Sequence, residues 1–154
     1  MEVRKNLRFI DLFAGLGGFH KALADLGCIC VFASEIDPSL AVLYEKNFNF
    51  SPQGDIRENY ENIPPHDILC AGFPCQPFSK AGEQLGFECP QWGDLFDYVL
   101  KILKIHRPTY LILENVPNLL KHNKGKTWNR IETNLRYLGY DIDTKGLSPH
   151  MFGV

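Results

Sequence analysis

Asp67-Ile68-Leu69-Cys70-Ala71-Gly72-Phe73-Pro74-Cys75-Gln76-Pro77-Phe78-Ser79 changes character half-way along. Its first half is an apolar run of strand length that stops at Gly72, where a bare backbone lets a ligand come close. Its second half turns through two prolines that bracket Cys75, and each proline biases the residue before it, Phe73 or Gln76, towards extended backbone. The pattern predicts a cysteine on a stiff loop just past the end of a buried strand. In open α/β sheets that edge is where ligands bind.

Working outward, strands alternate with helices. Arg8–Phe13 reads as a first strand, ended by Ala14-Gly15-Leu16-Gly17-Gly18. Phe19, Leu23 and Leu26 then recur at helical spacing up to Gly27. Cys28–Ala33 is a second strand. Pro38 suits the first turn of a helix carrying Leu40, Val42, Leu43 and Phe48. The polar stretch Ser51–Pro65 is expected to end a short strand, and Lys80–Gly93 reads as a long loop. Asp94–His106 reads as a helix, Tyr110–Leu113 as a strand, Thr127–Leu138 as a helix and Tyr140–Lys145 as a last strand. Strands without polar alternation, joined through helices, predict a doubly wound, mostly parallel α/β sheet covered on both faces.

The totals fit one domain over residues 1–154. Hydrophobic residues make up 45% and charged residues 22% of the chain, values typical of a globular protein. No apolar run is long enough to cross a membrane, and Met1-Glu2-Val3-Arg4-Lys5 lacks the apolar core and cleavage site of a signal peptide. Five cysteines without a C-x-x-C pair suit a reducing cytoplasm, and no Cys or His spacing suggests a metal. The net charge of −2 hides a basic segment: Lys101 to Arg136 carries eight Lys or Arg against two Glu. Such a segment either lies along phosphates or forms a solvated helix face.

Gly15-Leu16-Gly17-Gly18 followed by Glu35 is the layout of a nucleoside site: glycines admit the ligand and the acid accepts both ribose hydroxyls. His20 occupies the place of the last glycine in the dinucleotide pattern, which argues against a phosphate cradle and suits S-adenosylmethionine. Asp55 is either an acceptor for the adenine amino group, with Ile36 and Ile56 over the ring faces, or an ordinary turn aspartate. Cys28, Cys30 and Cys70 read as core filler. Cys75 alone is presented as a nucleophile, which needs a neighbour to activate its thiol. Glu114, at the end of the apolar Leu111-Ile112-Leu113, is either a buried candidate acid or a strand-end turn cap.

Taken together these residues resemble the N-terminal part of the cytosine-5 DNA methyltransferases of the bacterial restriction–modification type, through essentially all 154 residues. Phe13-Ala14-Gly15-Leu16-Gly17-Gly18 is similar to that family's cofactor loop, Glu35 to its ribose-binding acid and Asp55 to its adenine-binding residue. Pro74-Cys75-Gln76, after Gly72, resembles the nucleophile motif, Leu95 the helix start bordering the cofactor, and Glu114-Asn115-Val116 the Glu-Asn-Val motif. The resemblance implies a Rossmann-like methyltransferase fold, incomplete at its C-terminus. It implies S-adenosylmethionine as methyl donor, S-adenosylhomocysteine as product and double-stranded DNA with a flipped cytosine as substrate. In that scheme Cys75 attacks the cytosine ring and Glu114 holds a proton at N3.

Three departures stand out. Ile36 replaces a frequent aromatic, and Cys89-Pro90-Gln91-Trp92 replaces a stretch that often carries arginine. The chain also stops at Phe152-Gly153-Val154, where the family continues into a Gln-x-Arg-x-Arg strand and then a target-recognition domain and a last cofactor-covering motif. A complementing C-terminal portion is therefore an expected partner. An RNA cytosine-5 methyltransferase and a non-catalytic binding fragment are the alternative readings.

Overall fold

The computed structural model describes residues 6–74 and 94–154. Cys75, the long loop Lys80–Gly93 and its Cys89-Pro90-Gln91-Trp92 stretch lie outside the described residues. Four parallel strands form one sheet: β1 (Arg8–Leu12), β2 (Ile29–Ser34), β3 (Ile68–Ala71) and β4 (Tyr110–Leu113), in the order β2-β1-β3-β4. Between them run α1 (Gly18–Asp25), α2 (Pro38–Phe48), the short α3 (Ile56–Asn59) and α4 (Leu95–His106), and α5 (Lys126–Tyr137) follows β4. Parallel pairing throughout places the C-terminal ends of all four strands on one edge.

The central strands are buried on both sides, which is why they lack alternation. Ile10, Leu12, Leu69 and Ala71 face the larger core with Phe96, Val99, Ile102 and Leu103 of α4 and Ile131 and Leu135 of α5. Phe9, Ile68 and Cys70 face the other way, against Leu23 and Phe19 of α1. The sheet is thus covered on both faces, as the strand pattern predicts. Its margins are less covered: Tyr110 and Ile112 of β4 and Ile29 of β2 are exposed.

Several expectations are corrected. Leu26 is not part of the α1 core face; it is the cap residue after Asp25 and is exposed. Val42 and Leu43 of α2 are exposed as well, and that helix anchors through Tyr44, which is fully buried. Ser51–Pro65 contributes only an isolated bridge, Ser34 to Gln53, before α3. Tyr140–Lys145 forms no strand. Tyr140 instead packs beside the core and donates its hydroxyl to the carbonyl of Pro108 at 2.8 Å. A strand requires a neighbour to satisfy its amides, and this segment pairs with none of the described strands.

Candidate functional site

The site begins where β1 ends. Phe13, Gly15 and Gly17 all have positive φ, at 57°, 54° and 86°. A left-handed phenylalanine is strained and persists only where its surroundings impose it. Here the ladder continues past the strand: Ala14 N–H donates to the carbonyl of Ser34 at 2.9 Å, while Gly17 N–H returns to the carbonyl of Ala14 at 2.9 Å. The chain makes a tight turn into α1, with Gly17 as N-cap and the exposed Leu16 at its tip.

Glu35 ties this turn to the end of β2. Its Oε2 accepts from Gly15 N–H at 2.7 Å and its Oε1 from Asp37 N–H at 2.8 Å. Each carboxylate oxygen keeps a second lone pair, so the group can still accept two hydroxyls. A Cβ built on Gly15 or Gly18 meets nothing within 4 Å, so the turn opens onto free space. Ile36, at 47% exposure, stands beside it. These features suit a ribose-bearing ligand.

Asp55 has a structural task in view. It is the N-cap of α3, accepting from Arg57 N–H at 2.9 Å, and it pairs with the Arg57 guanidinium at 2.6 Å. Arg57 holds its carboxyl below the usual aspartate range. An adenine amino group would therefore have to share this carboxylate with Arg57. Ile56 turns into the main core, so its side chain is not the free ring cover the sequence suggested. Leu95 opens α4 and is likewise core.

β3 and β4 end side by side, Ala71 against Leu113. Glu114 N–H donates to the carbonyl of Ala71 at 3.0 Å, extending the β3–β4 ladder by one residue. A Cβ on Gly72 would lie 3.3 Å from Glu114 Oε2, so the carboxyl packs close against the bare Gly72 backbone. Glu114 is exposed, not buried as its strand-end position suggested. The next residue reaches back to the chain after β3: Asn115 Nδ2–H donates to the carbonyl of Phe73 at 3.0 Å, and its Oδ1 accepts from Val116 N–H at 2.9 Å. Phe73 is buried against Phe96, Pro74 is half-buried, and Cys75 follows outside the described residues.

Two of the described thiols, Cys30 and Cys70, are shielded within the strands. Burial pushes Cys70 up to about 12 and Cys30 up to about 11. Among the described residues no group of three or more His, Cys, Asp or Glu is placed to hold a metal ion, and no helix is long and apolar enough to cross a membrane.

The sequence reading missed a polar cluster beneath the glycine turn. Asp11 is 1% exposed in the middle of β1, with Tyr44 and His20 beside it. The signal was present, because an acid inside an apolar strand is rarely buried without a purpose.

A family model for C-5 cytosine-specific DNA methylases matches residues 7–154. The chain belongs to that family. It is 44% identical over 149 residues to the type II methyltransferase M.HhaI of Haemophilus parahaemolyticus, covering 96% of this chain and 45% of the relative. It is 49% identical to M.HpaII of Haemophilus parainfluenzae, covering 99% of this chain and 44% of that enzyme. The fold matches the S. pombe Dnmt2 methyltransferase with a TM-score of 0.73 and 26% identity, over 96% of this chain and 46% of that one. This methylase-family chain thus spans less than half the length of these relatives.

Proposed function

We propose that this chain is the cofactor-binding and base-activating part of a cytosine-5 DNA methyltransferase of a bacterial restriction–modification system, acting with a C-terminal portion in a reducing cytoplasm. The observation that carries the reading is the join at the ends of β3 and β4: Gly72 admits the Glu114 carboxyl, and Asn115 holds the backbone that leads into Cys75. The glycine turn and Glu35 lie along the same strand-end edge.

The residues divide the work. Glu35 accepts the ribose hydroxyls, Gly15 and Gly18 leave room for the cofactor's backbone contacts, Gly17 turns the chain over the Phe48 ring, and Phe13, Leu16, Ile36 and Leu95 border the cofactor. Asp55, shared with Arg57, and the Ile56 backbone lie on the adenine side; Gly72 and Pro74 lie towards the reacting centre. S-adenosylmethionine supplies an electrophilic methyl group on sulfonium. The Cys75 thiolate adds to C6 of a flipped cytosine while Glu114 holds a proton at N3 and offsets the charge that develops there. C5 would then carry the electron pair for the methyl group, whose bond to the sulfonium sulfur would break and leave S-adenosylhomocysteine as a neutral thioether. Loss of the C5 proton to a base expels the Cys75 thiolate and restores the ring. A flipped base would also cover Glu114, supplying the burial that the open strand end lacks.

The test combines the chain with the C-terminal portion of a relative and measures transfer of labelled methyl to duplex DNA, with tRNA as the comparison acceptor. Transfer to DNA and a 5-fluorocytosine adduct at Cys75 are expected, and Glu114→Gln should lower the rate by about 10²–10⁴-fold. No transfer from the reconstituted enzyme, or transfer to tRNA alone, overturns the reading.

A further inference from the structure

Beneath the glycine turn lies a cluster that the reaction scheme does not use. Asp11 Oδ1 is buried and has no hydrogen-bond partner among the described residues, while Oδ2 accepts from the Tyr44 hydroxyl at 3.4 Å. Tyr44 Oη lies 2.6 Å from Nδ1 of His20 and 3.9 Å from Cys30 Sγ. His20 stacks on Phe48 with ring centroids 4.0 Å apart, and Phe48 and Tyr44 together fill the space a Cβ would need at Gly17.

The three polar residues come from three places. Asp11 is on β1, one residue before Leu12 and the strained Phe13. His20 is in the first turn of α1, two residues after Gly18. Tyr44 is on α2, the helix that follows Glu35 and Asp37. The cluster therefore fastens both loops of the nucleoside site to the strand between them.

We propose that Asp11, acting through Tyr44 and His20, is a positioning residue that keeps the glycine turn and the Glu35 loop in the spacing the cofactor requires. The inference rests on the cofactor reading above. Its physical basis is that a lone carboxyl oxygen without a donor is costly if ionised and tolerable if neutral. Burial, and to a lesser degree the charge of Glu35, pushes Asp11 up to about 7, while the His20 backbone N–H and the Tyr44 hydroxyl pull the other way. The groups around it are His20 from α1, Tyr44 from α2, Cys30 from β2, Cys70 from β3 and Glu35 beyond β2. Among the described residues no Lys or Arg joins them, so ionisation places a second negative charge near Glu35 with no described counter-ion beside it. A ligand lying over the turn excludes more water and favours the neutral acid further.

Calorimetry of S-adenosylhomocysteine binding to this chain between pH 6 and 8.5 reads the effect. The wild type should weaken about tenfold across a midpoint near 7, as a shift of about one pKa unit on binding requires. Asp11→Asn, a neutral isostere, should bind within about threefold of wild type at pH 6 and show no such midpoint. Tyr44→Phe, which keeps the packing and loses the hydroxyl, should bind more weakly at every pH with an unchanged circular dichroism spectrum. An Asp11→Asn profile identical to wild type, or full affinity in Tyr44→Phe, overturns the proposal. A second arm needs no ligand: the amide resonances of Gly15 and Gly17 should move with a midpoint near 7 in wild type and stay still in Asp11→Asn. Motionless glycine amides in wild type overturn the network itself, whereas a wild type that binds no cofactor while its amides titrate overturns the cofactor reading.

Discussion

Gly17 combines a φ of +86° with a neighbour, the Phe48 ring, standing where a Cβ would go. Gly17→Ala therefore meets backbone strain and a steric clash together. It should cost about 2–4 kcal/mol by urea denaturation, and trimming the ring as well, in Gly17→Ala/Phe48→Leu, should recover part of the loss. A full-stability Gly17→Ala would mean that Phe48 moves aside freely. The sequence marked this glycine as a place for a ligand to approach. The structure adds that it is held from beneath by aromatic packing, which no local pattern shows because Phe48 is on a different helix. Phe13 makes the same point: its left-handed backbone follows from the return of the chain to Ser34 and Ala14, not from any property of phenylalanine.

At the scale of elements, α3 is only four residues long and depends on its cap. Asp55 accepts from the Arg57 amide and side chain, so Asp55→Ala should destabilise the chain by about 1 kcal/mol in urea. The Arg57 side chain depresses the Asp55 pKa. The stabilisation is thus present above the ordinary aspartate value and is lost as pH falls through the folded one, so the difference between Asp55→Ala and wild type should shrink in acid. If that difference is the same at pH 3 and pH 7, the cap is not working through its charge. Elements with strong periodicity were legible in the sequence: α4 and β4 lie within a residue of their expected positions. Elements that need a partner were not. Tyr140–Lys145 has strand-like residues and no strand to join, and Ser51–Pro65 reduces to one bridge and a short helix.

For the molecule as a whole, acid stability depends on a histidine pair at the opposite end of the sheet from the site. His66 precedes β3 and His106 ends α4, with ring centroids 5.1 Å apart. His66 Nε2 is buried without a partner among the described residues. Burial lowers both pKa values, and for His66 the neighbouring His106 adds to the fall. A base whose folded pKa is depressed favours the native state at high pH, and that stability is lost as pH falls below the unfolded value near 6.5. Asp11, raised by burial, acts in the opposite sense between about pH 4 and 7. The comparison of variants is therefore the readout: His106→Gln should lose less melting temperature than wild type between pH 7 and 5. Equal losses would count against the pair as the acid-sensitive group. The basic segment also divides at this scale. Arg130 pairs with Asp97, Arg136 with Glu132, and Lys101 lies over the Tyr98 ring, so part of it is ordinary helix surface.

The amino-acid sequence by itself determined the α/β class, the strand-end glycine turn, and the order in which Glu35, the Pro74-Cys75 stretch and Glu114 occur, because periodicity and turn chemistry act between near neighbours. Only the tertiary structure decided that Asn115 holds the Phe73 carbonyl, that Gly72 admits Glu114, that Asp55 is committed to Arg57, and that Asp11, Tyr44 and His20 meet under the turn. Most of these contacts join strands or helices far apart in the chain, and such distances close only when the sheet assembles.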